Sequence, residues 1–507
     1  MNRFLRNLAS DTAGNALMMF AAALVPILMM IGSGVDASIT YMARSKMQNA
    51  CDAAVLAGRL AMIGTDFGSD AQSEANKFFN FNFPNGTNGV DDADFDVTQD
   101  PDDPAKLLGT ASGTVPTTVM FVFGYDQMPI SVSCDAKRDM GHNDVMLVLD
   151  MTSSMLNEPS WGGGTSKVQL LRDATGGLYR ALSDGGASSS VTRYGFVPFS
   201  QTVNVARQMK NNDIVRKQYM VDGNFNRGVW RFSGMKEVSP RDSWWNNGHN
   251  GASANNAIIQ GFRTSGEGCI EERPAWGNDY DDGEFVIGTT VTLNDVNEEP
   301  KNGSDEDTQF GRYEPERQEG WWFEACVSES KQFATYADED AFNTAVNEVS
   351  TRVEGGTVAD IGMLWGLRLA SRDGMWDGNN PKTLDDWPVN VHLIFFTDGQ
   401  MYNTGGHYTA YGIEAYTHRV EGDGVARERW MNYTDLVAKH NQRFSNMCTL
   451  AKSMGMTIWV VALDTLRNDT YVNCATSASH YYESDGSDLE DKFTEIGQGI
   501  GNLRLTK

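Results

Sequence analysis

One stretch constrains this chain more than any other: Ala16 to Val35 reads ALMMFAAALVPILMMIGSGV and carries no charge. As a helix rising about 1.5 Å per residue it reaches about 30 Å, the thickness of a bilayer's hydrocarbon core. Pro26 lies inside it, and membrane helices tolerate proline because neighbouring groups satisfy the freed carbonyl. Arg3 and Arg6 precede the run, Asp36 follows at once, and Arg44 and Lys46 come a little later. That balance favours a cytoplasmic N-terminus by a narrow margin. A cleaved secretory signal is the alternative. The run is long for one, and it leads without a turn into a second helical pattern, Ile39 to Met62. The expectation is a cytoplasmic tail and single transmembrane helix over residues 1–35, with the bulk of the chain outside the membrane.

Residues 36–140 read as a helical stem followed by a small sheet. The segment 36–79 is rich in Ala, Met and Leu. Residues 80–100 carry turn signals such as Pro84-Asn85-Gly86 and an acidic run. The segments LLGTASGTVPTTVMFVF and MPISVSCDA, within 107–136, have the Val, Thr and Phe content of strands. A helical stalk with a stray hairpin is the competing description.

From Asp144 the pattern changes. DVMLVLD is a continuous apolar run, as expected of a parallel strand covered on both faces. Helical segments are expected at 167–182, 338–353, 359–370, 436–454 and 488–503, alternating with strands at 193–199, 391–396 and 456–463. That alternation implies an α/β fold, a doubly wound and mostly parallel sheet over 141–507. Residues 205–335, rich in Trp, Asn, Gly and acidic residues, are too long for one loop and are read as an inserted subdomain or lid.

A net charge of −26 argues against a nucleic-acid partner, which would need clustered Lys and Arg. None of the six cysteines forms a C-x-x-C pair, so zinc ribbons and thioredoxin motifs are not supported. The even count fits an oxidising compartment. The expected pairs are Cys448–Cys474 and Cys269–Cys326, leaving Cys51 for Cys134. The chain has no P-loop, no H-E-x-x-H and no G-x-S-x-G, and no nucleophile–base pairing is visible, so an enzyme is not expected. The acidic clusters Asp279-Tyr280-Asp281-Asp282 and Asp305-Glu306-Asp307 lack EF-hand spacing and read as solvated loops. The tryptophans Trp230, Trp244, Trp245, Trp276, Trp321 and Trp322 suit packing at least as well as a binding platform.

The first parallel strand ends in Asp150-Met151-Thr152-Ser153-Ser154, where a carboxylate and hydroxyls alternate along the chain. They fall at the C-terminal edge of the sheet, where open α/β folds place their ligands. Far downstream Gly355-Gly356-Thr357 precedes a helix, and another strand ends in Thr397-Asp398-Gly399. Taken singly, each is an ordinary turn or cap. All three in this order resemble the metal-ion-dependent adhesion site of von Willebrand factor A domains. The resemblance implies that Asp150, Thr152, Ser154, Thr357 and Asp398 hold a metal, some through water. Thr152 stands where Ser is commoner, and it keeps the oxygen. Two carboxylates and three hydroxyls form a hard oxygen site suited to Mg²⁺, then Mn²⁺, with Ca²⁺ behind them. Such a set leaves a vacancy for a partner's carboxylate.

Most of the length also resembles the TadG-like proteins of the tight-adherence pilus system. The resemblance is carried by the N-terminal RFLRNLASDTAGNALMMFAAALVPILMMIGSGVD and the helix YMARSKMQNACDAAVLAG. It continues in VPFSQTVNV at 197–205, GGTVADIGMLWGLRLAS at 355–371 and NCATSASHYYES near the end. A type IV prepilin signal fits less well: Gly14 is suitably placed, but the residue five beyond it is Met19 and not Glu. The resemblance implies a pilus assembly or minor pilin-like component held in the bacterial inner membrane, with its bulk periplasmic and other pilus proteins as partners. It implies no small-molecule substrate. A binding subunit of a different envelope complex is the alternative.

Overall fold

A computed structural model describes residues 12–62, 67–101, 103, 106–138, 141–184, 190–210, 213–214, 218–226, 229–238, 256–279, 284–301, 306–313, 326–385, 387–427, 433–501 and 503–505. The chain divides into two compact units, one built mainly from residues up to Met140 and the other from Gly141 to Gly501.

In the first unit a single helix, α1, runs Thr12–Ala61 through Pro26. Side chains described from Met19 to Ile31 are exposed on every side, and packing begins at Gly32. Further along, Ala43, Met47, Ala50, Cys51, Ala54 and Val55 recur at helical spacing and are buried. They meet α2 (Ser69–Asn82) through Ala71, Ala75 and Phe79. The sheet β1 (Asp94–Gln99), β2 (Lys106–Pro116) and β3 (Gln127–Arg138) is an antiparallel meander that packs on the same core, and Leu503–Leu505 pairs with β3. Two expectations need correction. The helical pattern of 36–79 is broken between Ala61 and Ser69, and the turn-rich 80–100 contains β1. Only Val97 of β1 is buried, so this edge strand has almost no apolar signal to read.

The second unit is built on a sheet whose strands are β4 (His142–Asp150), β5 (Thr192–Phe199), β6 (Lys331–Ala334), β7 (Trp387–Thr397), β8 (Thr457–Leu463) and β9 (Tyr481–Ser484). Their spatial order is β6-β5-β4-β7-β8-β9. Of these six, β6 runs antiparallel and the other five are parallel; a short seventh strand, Thr383–Leu384, pairs antiparallel with the start of β7. Every residue of β4 is buried, which explains its unbroken apolar sequence. Alternate residues serve opposite faces. Val145, Leu147 and Leu149 pack with α3 (Lys167–Asp184), α4 (Glu339–Val349) and α7 (Leu489–Gly501). Met146 and Val148 pack with α5 (Ala359–Ala370) and α6 (Tyr433–Ser453).

The inserted region is not independent of this core. Val205, Ile259, Ile270, Phe285, Val296 and Phe310 join the cluster that contains α5. Buried ion pairs reinforce the contact: Arg368 of α5 forms a two-pronged pair with Glu272, at 2.8 and 2.9 Å. Trp276 is 56% exposed. Trp244, Trp245, Trp321 and Trp322, and the acidic residues Asp281, Asp282 and Asp305, lie outside the described residues. The three disulfides are Cys51–Cys134, Cys269–Cys326 and Cys448–Cys474, the expected pairs.

Glycines let α5 lie close on the sheet. A Cβ added at Gly366 would stand 2.5 Å from Val148 Cγ2. Gly366→Ala should therefore destabilise the unit by about 1 kcal/mol, the overpacking cost outweighing the helix propensity gained. Combining it with Val148→Ala, which removes the obstructing methyl, should leave the double variant more stable than the summed singles predict in urea unfolding.

Candidate metal centre

β4 and β7 are parallel neighbours in the register Leu149↔Phe396, so Asp150 and the Thr397-Asp398 pair leave the sheet at the same rim. Asp150 is fully buried. One carboxylate oxygen accepts from Thr152 N at 3.0 Å, and the other accepts from Thr397 Oγ1 at 2.7 Å. Thr152 Oγ1 and Ser154 Oγ are 3.0 Å apart, and Ser154 Oγ donates to Asp398 Oδ1 at 2.8 Å. Thr152, Ser154 and Asp398 thus form a chain of bonded oxygens, to which Asp150 is tied through Thr152 N and the neighbouring Thr397.

Thr357 arrives on the loop before α5. Gly355, at φ +89°, turns that loop. Gly355 O accepts from Ser153 N at 3.1 Å, and Gly356 N donates to Gln201 Oε1 at 3.2 Å. Thr357 O accepts from Tyr402 N at 2.7 Å, and Thr357 Oγ1 lies 3.7 Å from where a Cβ on Gly399 would stand. The loop thus places Thr357 beside Gly399, at the same edge as the other four residues named from the sequence. The loop after Asp398 is pinned by Asn403, which bonds Gly405 N at 2.9 Å and His440 Nε2 at 3.0 Å. His440 Nδ1 in turn bonds Asp360 at 3.0 Å. Both His440 and Asp360 are completely buried, so this pair serves as a strut.

Sequence reasoning missed Lys167. It opens α3, and its ammonium lies 3.2 Å from Asp398 Oδ2 and 3.2 Å from Asp464. In the sequence it reads as an ordinary exposed helix residue; only its burial, at 7% exposure, marks it. Gln201 was also missed. Its Nε2 donates to the Tyr313 hydroxyl of the inserted region, so the insertion supports the site's floor.

The electrostatics suit a cation. Burial and the nearby Asp398 charge push Asp150 up to about 7. Burial also raises Asp398, against the opposing pull of Lys167 and Ser154. Two carboxylates and three hydroxyls are a hard donor set, and a divalent ion would offset both charges in a dry setting. Among the described residues no group of three or more His, Cys, Asp or Glu side chains is placed to hold a metal ion.

Comparison with known proteins bears on the chain's family. Residues 14–72 match the family described as Tad, putative Flp pilus-assembly TadE/G-like. The N-terminal segment is TadE/G-like. No curated protein matches the chain. Among solved structures, the von Willebrand factor domain of the type V pilus tip protein Mfa5 from Porphyromonas gingivalis aligns at 12% identity, covering 71% of this chain and 95% of that one, with a TM-score of 0.30. The PilB minor pilin from Streptococcus sanguinis aligns at 10% identity, covering 82% and 78%, with a TM-score of 0.33. Proximal thread matrix protein 1 from the mussel byssus aligns at 11% identity and a TM-score of 0.30, covering 73% of this chain but only 49% of that one. The chain therefore spans about half the length of the byssus protein. Likenesses this distant carry no weight for the site, which rests on its own residues.

Two outcomes follow from the buried charges. Asp150 keeps its proton to about pH 7 when folded but only to about its ordinary 3.8 when unfolded. Folding without a metal thus takes up a proton, and the stabilisation, full below the unfolded value, is lost as pH rises through 7. In chelator the melting temperature should fall between about pH 5 and about pH 8, and Mg²⁺ should reduce that fall. Lys167→Met should leave Asp398 and Asp464 without their shared cation and cost about 3 kcal/mol in chelator, read by urea denaturation.

Proposed function

We propose that this chain is a membrane-anchored, pilin-like component of a tight-adherence pilus system that binds a partner protein through a metal-ion-dependent adhesion site. Residues 1–35 form the cytoplasmic tail and transmembrane helix, 36–140 the stem, and 141–507 a doubly wound, von Willebrand factor A-type unit with its insertion at 205–335. The bulk of the chain is periplasmic, anchored in the bacterial inner membrane. Asp150, Thr152, Ser154, Thr357 and Asp398 hold Mg²⁺, with Mn²⁺ able to replace it.

The observation that carries this reading is the convergence of two buried carboxylates and their hydroxyl neighbours at one sheet rim. The chain that bears them opens with a TadE/G-like segment and one helix apolar enough to cross a membrane. Three disulfides agree with folding in an oxidising compartment. Held by these residues, Mg²⁺ would supply a Lewis-acidic position open to a partner's carboxylate. Thr152 and Ser154 supply neutral oxygens, which keep the site's negative charge low. Asp398 stays shared between Ser154 and Lys167, which limits how much of its charge reaches the ion. This arrangement serves binding and not catalysis.

Asp150→Ala and Asp398→Ala should each abolish calorimetric Mg²⁺ binding while the circular dichroism spectrum stays that of the parent. Affinity-tagged full-length protein, solubilised from native envelopes, should retain pilus-system proteins in Mg²⁺ and release them in chelator. Retention of the same proteins by Asp150→Ala, unaffected by chelator, would refute the site's role. Recovery of envelope proteins unrelated to pili would refute the pilus assignment and leave the metal site standing.

A further inference from the structure

The hairpin loop joining β2 to β3 runs from Thr117 to the exposed Asp126, and ahead of that aspartate its tip, Thr117 to Tyr125 (TTVMFVFGY), carries no charge and leaves several apolar side chains bare. Phe121 is 55% exposed, Val122 69% and Tyr125 62%. The hairpin runs back along α1 towards the apolar run. A Cβ at Gly109 would meet Val55, one at Gly113 would meet Met47, and one at Gly32 would stand 2.5 Å from Val119 Cγ1. On the return strand Thr40 contacts Met128. The tip therefore packs at the level of Gly32, within the last turn of the Ala16–Val35 run.

Length decides what surrounds that level. A run of about 20 residues reaches about 30 Å, just the hydrocarbon thickness, so its final turn is needed to complete the span. Whatever packs on residues 32–35 then sits at the membrane's edge. Asp36, the first charge beyond the run, would be costly there. It is turned inward instead, accepting from Thr118 N at 2.7 Å, Val119 N at 3.1 Å and Met120 N at 2.8 Å. The same three bonds satisfy donors at the start of the tip's 3₁₀ turn, Met120–Phe123. Tyr125 follows the apolar residues, in keeping with the preference of tyrosine for the headgroup level.

We propose that this tip is a second membrane contact: Phe121 and Val122 insert into the outer edge of the bilayer beside α1, fixing the stem at the surface. The proposal rests on the reading of α1 as an uncleaved anchor. The occupant is lipid, because the exposed apolar patch adjoins the bare anchor and the loop's one charge, Asp126, comes after Tyr125, where a headgroup-level tyrosine would leave it in water.

The test uses the full chain in phosphatidylethanolamine–phosphatidylglycerol vesicles, with an environment-sensitive fluorophore on a single introduced thiol. All native cysteines are paired, so each new thiol is labelled alone. The positions are Val122→Cys, Met30→Cys in the apolar run and Ser131→Cys on the exposed face of β3. Spin-labelled lipid should quench the label at Val122 and at Met30, and leave the one at Ser131 bright. Adding Gly32→Leu, which displaces Val119, should restore fluorescence at Val122 while Met30 stays quenched. With Gly32 unchanged, a bright label at Val122 beside a quenched one at Met30 overturns the inference alone. Bright labels at both overturn the anchor reading with it. Disulfide-linked dimers through Val122→Cys would show a second copy, and not lipid, covering the tip, and would also overturn it.

Discussion

The parallel register of β4 with β7 is the constraint on which the candidate site depends. With Leu149 opposite Phe396, two strands far apart in sequence deliver Asp150 and Asp398 to one rim. A shift of one residue in either strand would exchange the sets facing the two helix layers, burying the wrong side chains on both faces. The apolar packing that stabilises the sheet and the geometry that gathers the carboxylates are therefore one specification. The cost appears locally: Asp150 is held in a dry position where its charge is disfavoured. The surrounding structure over-determines that position through Thr152, Thr397 and the loop carrying Thr357.

Support for the rim extends well beyond its oxygen donors. Gln201 links the Gly355–Thr357 loop to Tyr313, and Tyr313 donates to Tyr408 O at 3.1 Å. The inserted region is thus part of the site's foundation, and the Arg368–Glu272 pair and Arg419–Glu271 pair hold it there. Buried pairs of this kind add little net stability over apolar packing, but losing one partner strands a charge. Their effect is to make one placement of the insertion far better than its alternatives.

Legibility followed physical cause. DVMLVLD was readable because both faces of β4 are covered, and α5 because its twelve residues are all buried. D-x-T-x-S and T-D-G pointed to the rim because a strand end places consecutive residues predictably. The edge strands β1, β6 and β9 were not readable: they are short or half-exposed and carry no clean period. Lys167 was missed for a different reason. Its burial comes from Asp398 and Asp464, which lie more than two hundred residues away, so no local pattern announces it. The insertion's share in the core was hidden likewise, since its apolar residues come in short runs, such as Ala257-Ile258-Ile259 and Phe285-Val286-Ile287, scattered through polar sequence with no sustained period.

The stem resolves a conflict of its own. A charge directly after a membrane-length apolar run normally seeks water, yet Asp36 is buried, at 2% exposure. Desolvation opposes its ionisation, but three backbone N–H donors outweigh that and hold its carboxyl below the usual range. The donors belong to a turn whose own orphan groups need an acceptor, so each side's deficit is met by the other. One aspartate thereby closes the apolar run and clamps the hairpin to the helix. Gly32 makes room for that clamp one turn earlier, where any side chain would collide with Val119. The end of the apolar segment is consequently shaped by tertiary packing as well as by hydropathy.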